Sequence, residues 1–249
     1  MAPHERRKIW VHTPEAAREL DRLALAEFGL ASIVLMEHAA LAVARASGEA
    51  ARRARVRGAV AVCGTGNNGG DGLAAARLLA NAGLRCAVAL PAGEPGAEDA
   101  RANMIAVVAM GLAVFRGEGA VGAASAEVGG GCVVIDALLG TGLSRDVGGV
   151  LLGAIREMVA LGAKGAPVVA VDCPSGLDAG TGEARPEAVV ADMTVTLGAV
   201  KGGFLRPRAW PYVGEVVVGD LGVPRELVER VGARAEVPAG LVVAEWSGE

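Results

Sequence analysis

Aromatic side chains are nearly missing from this sequence: three Trp, one Tyr and three Phe stand among 249 residues, 3% of the chain. Histidine is as scarce. Only His4, His12 and His38 occur, all in the N-terminal portion, so the serines further along lack an imidazole to activate them, which argues against a Ser–His hydrolase. The four cysteines, Cys63, Cys86, Cys132 and Cys173, lie far apart with no C-x-x-C pair and no neighbouring His. That pattern suits reduced, mostly buried thiols rather than a zinc site. Neither sign of charge dominates, with 24 Lys and Arg against 28 Asp and Glu for a net of −4, so no electrostatic footprint for nucleic acid exists. No uninterrupted apolar run reaches the length of a membrane span, and the opening MAPHERRKIW is charged where a signal peptide would be apolar. A cytoplasmic location with no membrane partner is the expectation.

What the chain does have is small and apolar. Hydrophobic residues make up 52%, and 50 Ala with 37 Gly let helices and strands approach closely without any collagen-like period. The length suits one large domain or two small ones with a core that needs no staples.

Thr13 followed by Pro14 reads as a helix cap with proline at the first helical position, and Gly29 as the end of that helix. A second helix is expected from about Ser32 into the cluster Arg52, Arg53, Arg55 and Arg57, with Leu35, Met36, Ala39 and Val43 at helical spacing. From Gly58 short apolar runs alternate with helix-length segments: GAVAVC, RCAVALP, LAVF, CVVID, APVVAVD, ADMTVTLG and EVVVGD are the strand candidates. Near-continuous apolar strands between helices imply a parallel sheet covered on both faces, hence one three-layer α-β-α domain over 1–249 with N-terminal helices in front of it. The stretch from Gly117 to Gly131 reads as a short helix between loops or as a flexible connection. The polar start, 1–12, is expected to be a loosely ordered end, and the tail 233–249 a final strand or another such end.

In an open parallel sheet, ligands bind beyond the carboxyl ends of the strands, so the loops there carry the chemistry. The first, Gly64-Thr65-Gly66-Asn67-Asn68-Gly69-Gly70-Asp71-Gly72, contains G-x-G-x-x-G after a strand. An ordinary NAD(P) dehydrogenase is disfavoured nonetheless. Asp71 places a carboxylate where a pyrophosphate would sit, and RCAVALP ends without the ribose-binding acid. A tight turn with Asp71 as cap explains some of these residues but not seven special ones in nine. Asp136 and Asp172 each end a strand and are expected at the same sheet edge, an arrangement for catalysis or cation binding, although each is also a ready cap for the next turn. Gly140-Thr141-Gly142-Leu143-Ser144-Arg145-Asp146 offers backbone N–H groups, hydroxyls and one guanidinium to a ligand. Pro174 and Gly176 make the turn that aims Asp172 and Ser175. Lys201 reads either as a phosphate ligand or as a solvated loop lysine. Cys173 beside Asp172 is rejected as a nucleophile, because a neighbouring carboxylate raises a thiol.

These loops resemble those of the NAD(P)H-hydrate epimerase family, the YjeF N-terminal type domain. GNNGGDG at Gly66 to Gly72, VIDALLGTGL at Val134 to Leu143 and VDCPSGLDAGTG at Val171 to Gly182 stand in the family's order, and IVLMEHAA is similar to its LVLMENAG helix. The resemblance, over roughly 13–230, implies a Rossmann-like sandwich and an isomerase that interconverts the R and S forms of NADHX and NADPHX in cofactor repair. By carry-over, Asn67, Asn68, Gly69, Gly70 and Asp71, Gly140 to Asp146, and Asp172 would bind substrate. Asn68, Asp136 and Ser175 would hold potassium, whose preference is for oxygen donors, and Asp172 would be the catalytic acid–base. The resemblance also implies a homodimer. The family's frequent C-terminal dehydratase does not fit in 249 residues, so a separate dehydratase is the expected pathway partner. His38 replaces the family's usual Asn. The rival reading is a non-catalytic binding or assembly scaffold on the same fold.

Overall fold

The computed structural model describes residues 7–129, 131–143 and 145–245, and the statements below concern these. A short strand β1 (Lys8–His12) precedes helix α1 (Pro14–Phe28). The Thr13 hydroxyl accepts the Ala16 N–H at 3.2 Å, and Gly29 ends the helix at φ 66°. Helix α2 (Ser32–Ala54) follows and ends on Arg55 in the left-handed conformation. The α/β unit then runs β2 (Gly58–Cys63), α3 (Asn67–Asn81), β3 (Arg85–Leu90), α4 (Glu98–Ala109), β4 (Ala113–Arg116), α5 (Ala120–Glu127), β5 (Cys132–Ala137), α6 (Gly149–Ala163), β6 (Val168–Val171) and β7 (Met193–Leu197). After β8 (Val200–Lys201) come α7 (Trp210–Val213), β9 (Glu215–Gly219), α8 (Arg225–Val231), β10 (Ala233–Glu236) and β11 (Val243–Glu245). The Gly117 to Gly131 stretch therefore does hold a helix, α5.

Eight strands form one sheet in the order β11-β9-β7-β6-β5-β2-β3-β4 with every pair parallel. Alternation along the strands feeds two cores. Ala59, Ala61, Val133 and Ile135 pack toward α2, α3 and α4, and Val60, Val62, Cys132 and Val134 toward α5 and α6. The expected three layers follow from this: each strand is apolar on both sides, so each face needs a helical cover. None of the described helices is long and apolar enough to cross a membrane.

The chain ends carry structure that no local pattern announced. β1 pairs antiparallel with β10 and parallel with β8, and β11 extends the large sheet beside β9. Over 8–12, 233–236 and 243–245 the ends are thus paired strands rather than loose segments. Their sequences, KIWVH and ARAE among them, are too short and mixed to signal a strand before a partner is present.

The glycines of the β2–α3 turn are needed for contact. A Cβ on Gly64 would stand 2.0 Å from the Leu138 carbonyl oxygen, and one on Gly69 2.0 Å from that of Gly64. Gly64→Ala is expected to cost about 1–3 kcal/mol through overpacking. In contrast Gly153→Ala, within α6 and with open space around it, should stabilise by up to about 1 kcal/mol. Urea unfolding of the two variants checks both signs.

Candidate active site

The strand order reverses between β2 and β5, the chain leaving β2 toward β3 and β4 on one side and taking up β5, β6 and β7 on the other. The crevice beyond the carboxyl ends of those two strands is where ligands of open α/β sheets bind. A cavity of about 940 Å3 lies there. Its sheet-side wall is made by the loops after β2, β5, β6 and β7, and α1 and α2 supply the other wall. The volume falls within the usual range for a small-molecule site.

Asp172 follows directly on β6 and takes φ 64°, an uncommon conformation that Asp tolerates better than most side chains. Its Oδ1 is held from two sides, by Lys201 Nζ at 2.6 Å and by the Leu197 N–H at 3.0 Å. Lys201 is only 1% exposed and also donates to the carbonyls of Leu197 at 2.9 Å and Ala199 at 3.2 Å. All three protons of the ammonium thus have acceptors. Oδ2 of Asp172 has no hydrogen-bond partner among the described residues and remains for a ligand. Behind Lys201, at the matching register position of β1, lies His12, equally buried. Burial and the nearby Lys201 charge lower the imidazole's pKa, against the opposing effects of its bond to the Val228 carbonyl and the Asp172 charge.

Beneath the cavity floor a continuous network joins three residues that are distant in sequence. Asn68 Nδ2 donates to the Leu139 carbonyl at 3.1 Å, the Leu139 N–H donates to Ser175 Oγ at 2.8 Å, and Ser175 donates to Asp136 through Oγ at 2.5 Å and through its backbone N–H at 2.7 Å. Asp136 is fully enclosed. Burial pushes its carboxyl up to about 6, partly offset by the Ser175 and Leu138 donors. No cationic side chain pairs with it among the described residues. Asn68 Oδ1 likewise has no partner there.

Two further carboxylates face the cavity. Asp71, in the first turns of α3, is 7% exposed, and burial together with the charges of Asp172 and Asp21 holds its proton well above the ordinary carboxylate range. Asp21, on α1, is open to the cavity's solvent. Its carboxyl is raised to about 6 by desolvation first and the Asp172 charge second, against a lowering by Lys201. The four thiols are free, and Cys173 is raised far up mainly by burial, with Asp172 adding to it. It remains unsuited to nucleophilic work, for a reason only partly visible in sequence.

Of the residues singled out from sequence, Asn67, Asn68, Asp71, Gly140, Thr141, Gly142, Leu143, Arg145, Asp146 and Asp172 line the cavity. Ser144 lies outside the described residues. Gly69 and Gly70 do not line it: the first packs on the Gly64 backbone, and a Cβ on the second would meet the Met36 side chain at 2.6 Å. Asp136 and Ser175 sit just under the floor. His38 is not in the lining either, its ring lying against Gly222. Sequence reasoning missed the pairing of Lys201 with Asp172 and the whole contribution of α1. A lone lysine after a strand and one Asp on an amphipathic helix carry no local signal of convergence.

The family model described as YjeF-related protein N-terminus matches residues 32–203. A Pyrobaculum aerophilum protein named Bifunctional NAD(P)H-hydrate repair enzyme Nnr is 41% identical over 217 residues, covering 82% of this chain and 40% of its own length. Proteins named NAD(P)H-hydrate epimerase from Lentilactobacillus buchneri and Pirellula staleyi are 36% and 34% identical, covering 86% and 90% of this chain and 94% and 97% of their own. The chain thus spans less than half of the bifunctional relative and nearly all of the other two. The crystal structure of yeast ynu0 superposes with a TM-score of 0.71 at 22% identity, covering 92% of this chain and 95% of that one, a likeness of fold. With the motifs of the β2, β5 and β6 loops gathered around one cavity and the family model spanning them all, the chain belongs to the YjeF-related protein N-terminus family.

Proposed function

We propose that the protein is an NAD(P)H-hydrate epimerase, an isomerase that interconverts the R and S forms of NADHX and NADPHX. The observation that carries this reading is Asp172, with one oxygen fixed by Lys201 and Leu197 and the other turned over to a ligand. The epimeric carbon, C6, bears a hydroxyl next to the ring nitrogen. Loss of that hydroxyl as water breaks the C6–O bond and leaves an iminium cation, and water returning to the opposite face inverts the centre. Asp172 gives a proton to the departing hydroxyl in one direction and takes one from incoming water in the other. The carboxylate of Asp172 at the cavity wall favours the cationic intermediate over the neutral substrate. Asp71 lines the same cavity and is a polar contact for the substrate. Arg145 stands in the loop that would meet the pyrophosphate.

A potassium ion is part of the proposal. Asn68, Asp136 and Ser175 form an all-oxygen donor set of the kind a hard monovalent cation takes, and the enclosed Asp136 carboxylate without a cationic partner suits one. When bound, the ion would neutralise that charge and brace the loops after β2, β5 and β6. Potassium chloride is expected to raise the melting temperature above that in choline chloride of equal ionic strength, and Asp136→Asn to erase the difference.

The activity test uses a mixture of R and S hydrates with a dehydratase specific for the S form, the class of enzyme that would consume this product. Adding the protein should drain the residual R form. Persistence of that form with and without potassium would favour a binding or assembly role. Whether the protein works as a homodimer is read by light scattering.

A further inference from the structure

Inversion at one carbon sets a demand that a single carboxylate does not meet. The hydroxyl leaves one face of the ring and water arrives on the other, so a proton must be handled on both. We propose that Asp21, on α1, is the second proton-handling residue, serving the ring face opposite Asp172; this rests on the epimerase reading above.

Three observations carry it. First, Asp21 and Asp172 line the same cavity from different walls, one from the N-terminal helix and one from the sheet edge. A flat ring entering between them has one carboxylate on each side. Second, Asp21 is left unclaimed by its own helix. Arg18, one turn before it, bonds Glu15 at 3.1 Å, and Arg22, its neighbour, bonds Glu19 at 2.7 and 2.8 Å. Asp21 itself has no hydrogen bond or ion pair among the described residues. Third, the charged groups that share the cavity with it are Asp172 after β6, Asp71 on α3, Lys201 on β8, Asp99 on α4 and Arg145 and Asp146 after β5, with Arg18 on its own helix, and of these Asp172 and Lys201 act on its carboxyl. Asp172 is tied to Lys201, whereas desolvation brings Asp21 up to about 6. One carboxyl is thus fixed in an ion pair while the other, with no such bond, is raised by desolvation, an asymmetry between the two faces. Asp71 is enclosed on α3, on the sheet side of the cavity with Asp172, whereas Asp21 is exposed on α1, so Asp71 is not placed to serve the opposite face.

The step balances without a further reactant. The Asp21 carboxyl gives its proton to the C6 hydroxyl, the C6–O bond breaks, and water leaves the iminium. A second water adds to C6 from the Asp172 side, and its proton passes to the Asp172 carboxylate. The reverse epimerisation runs the same pair with roles exchanged.

The experiment compares parent, Asp21→Asn and Asp21→Glu in oxygen-18 water, starting from the diastereomer whose hydroxyl faces Asp172. Both inversion and oxygen exchange with retention are followed by mass spectrometry. Asp21→Asn is expected to lose inversion by about 100-fold while same-face exchange, which needs Asp172 alone, stays within about fivefold of the parent. Asp21→Glu should restore at least about a tenth of the inversion. With the other diastereomer, whose hydroxyl faces Asp21, the protonated form of Asp21 is the acid and disappears above about 6, so parental kcat/KM, corrected for uncatalysed epimerisation, should fall as pH rises past that point, and Asp21→Asn should lose this slope. The proposal is overturned if Asp21→Asn inverts at the parental rate, or if exchange and inversion fall together in both variants. A parent that exchanges and inverts nothing overturns the epimerase reading with it, whereas an active parent beside an equally active Asp21→Asn overturns this inference alone.

Discussion

Asp172→Asn is expected to lower epimerase kcat by about 1,000-fold with a folded protein and a nearly unchanged KM, a loss within the range of a positioned general acid–base group. The substitution isolates proton handling because it preserves geometry. An amide oxygen in the Oδ1 position can still accept from Lys201 Nζ and from the Leu197 N–H, which lie 2.6 and 3.0 Å from Asp172 Oδ1 in the parent, and Asn tolerates the φ of 64° as Asp does. What disappears is the ability to give and take a proton at Oδ2 and the negative charge that favours the iminium. Steady-state kinetics with circular dichroism and a melting curve separate this from unfolding. Full turnover in a folded Asp172→Asn protein would remove Asp172 from the chemistry.

The second large effect concerns Lys201. Its ammonium is enclosed and paired with Asp172, so Lys201→Met removes one partner of a buried ion pair and strands the other near Asp21 and Asp71. Such a break costs about 3–5 kcal/mol. The loss should be conditional: in the double variant Lys201→Met with Asp172→Asn, no carboxylate is left stranded beside position 201, and much of the stability should return. Urea unfolding of the parent, the two single variants and the double variant gives the coupling energy directly. Additive losses would mean that Lys201 acts through packing alone. Activity should be lost in Lys201→Met even at temperatures where it is folded, since Asp172 Oδ1 then keeps only the Leu197 N–H to hold it.

Much of this site was legible in the linear chain because its parts are local. Thr13 and Pro14 start α1 where the cap rule puts them. The strands GAVAVC, CVVID and APVVAVD are apolar along both sides and can form only inside a covered parallel sheet. Asp136 and Asp172 end strands, and parallel strands share an edge, so the convergence of the loops after β2, β5 and β6 follows from topology once the sheet is granted. The glycine-rich loop was readable as special, but part of its purpose was hidden. Gly69 serves close backbone contact with Gly64, and Gly64 with Leu138, a neighbour 74 residues away that the local pattern does not record.

The sequence by itself determined the layered parallel architecture, the helix caps and the three loops that carry the chemistry, because periodicity and capping act within a few residues. Only the tertiary structure decided which charges meet. Lys201 enters the site because β1 and β7 close around it and leave it Asp172 as partner, Asp21 because α1 folds back over the sheet edge, and the chain ends become strands because β1 and β10 find each other across the whole length of the molecule. Coulombic pairing and desolvation depend on distances in space, and pattern along a chain records those distances only where the partners are near in sequence.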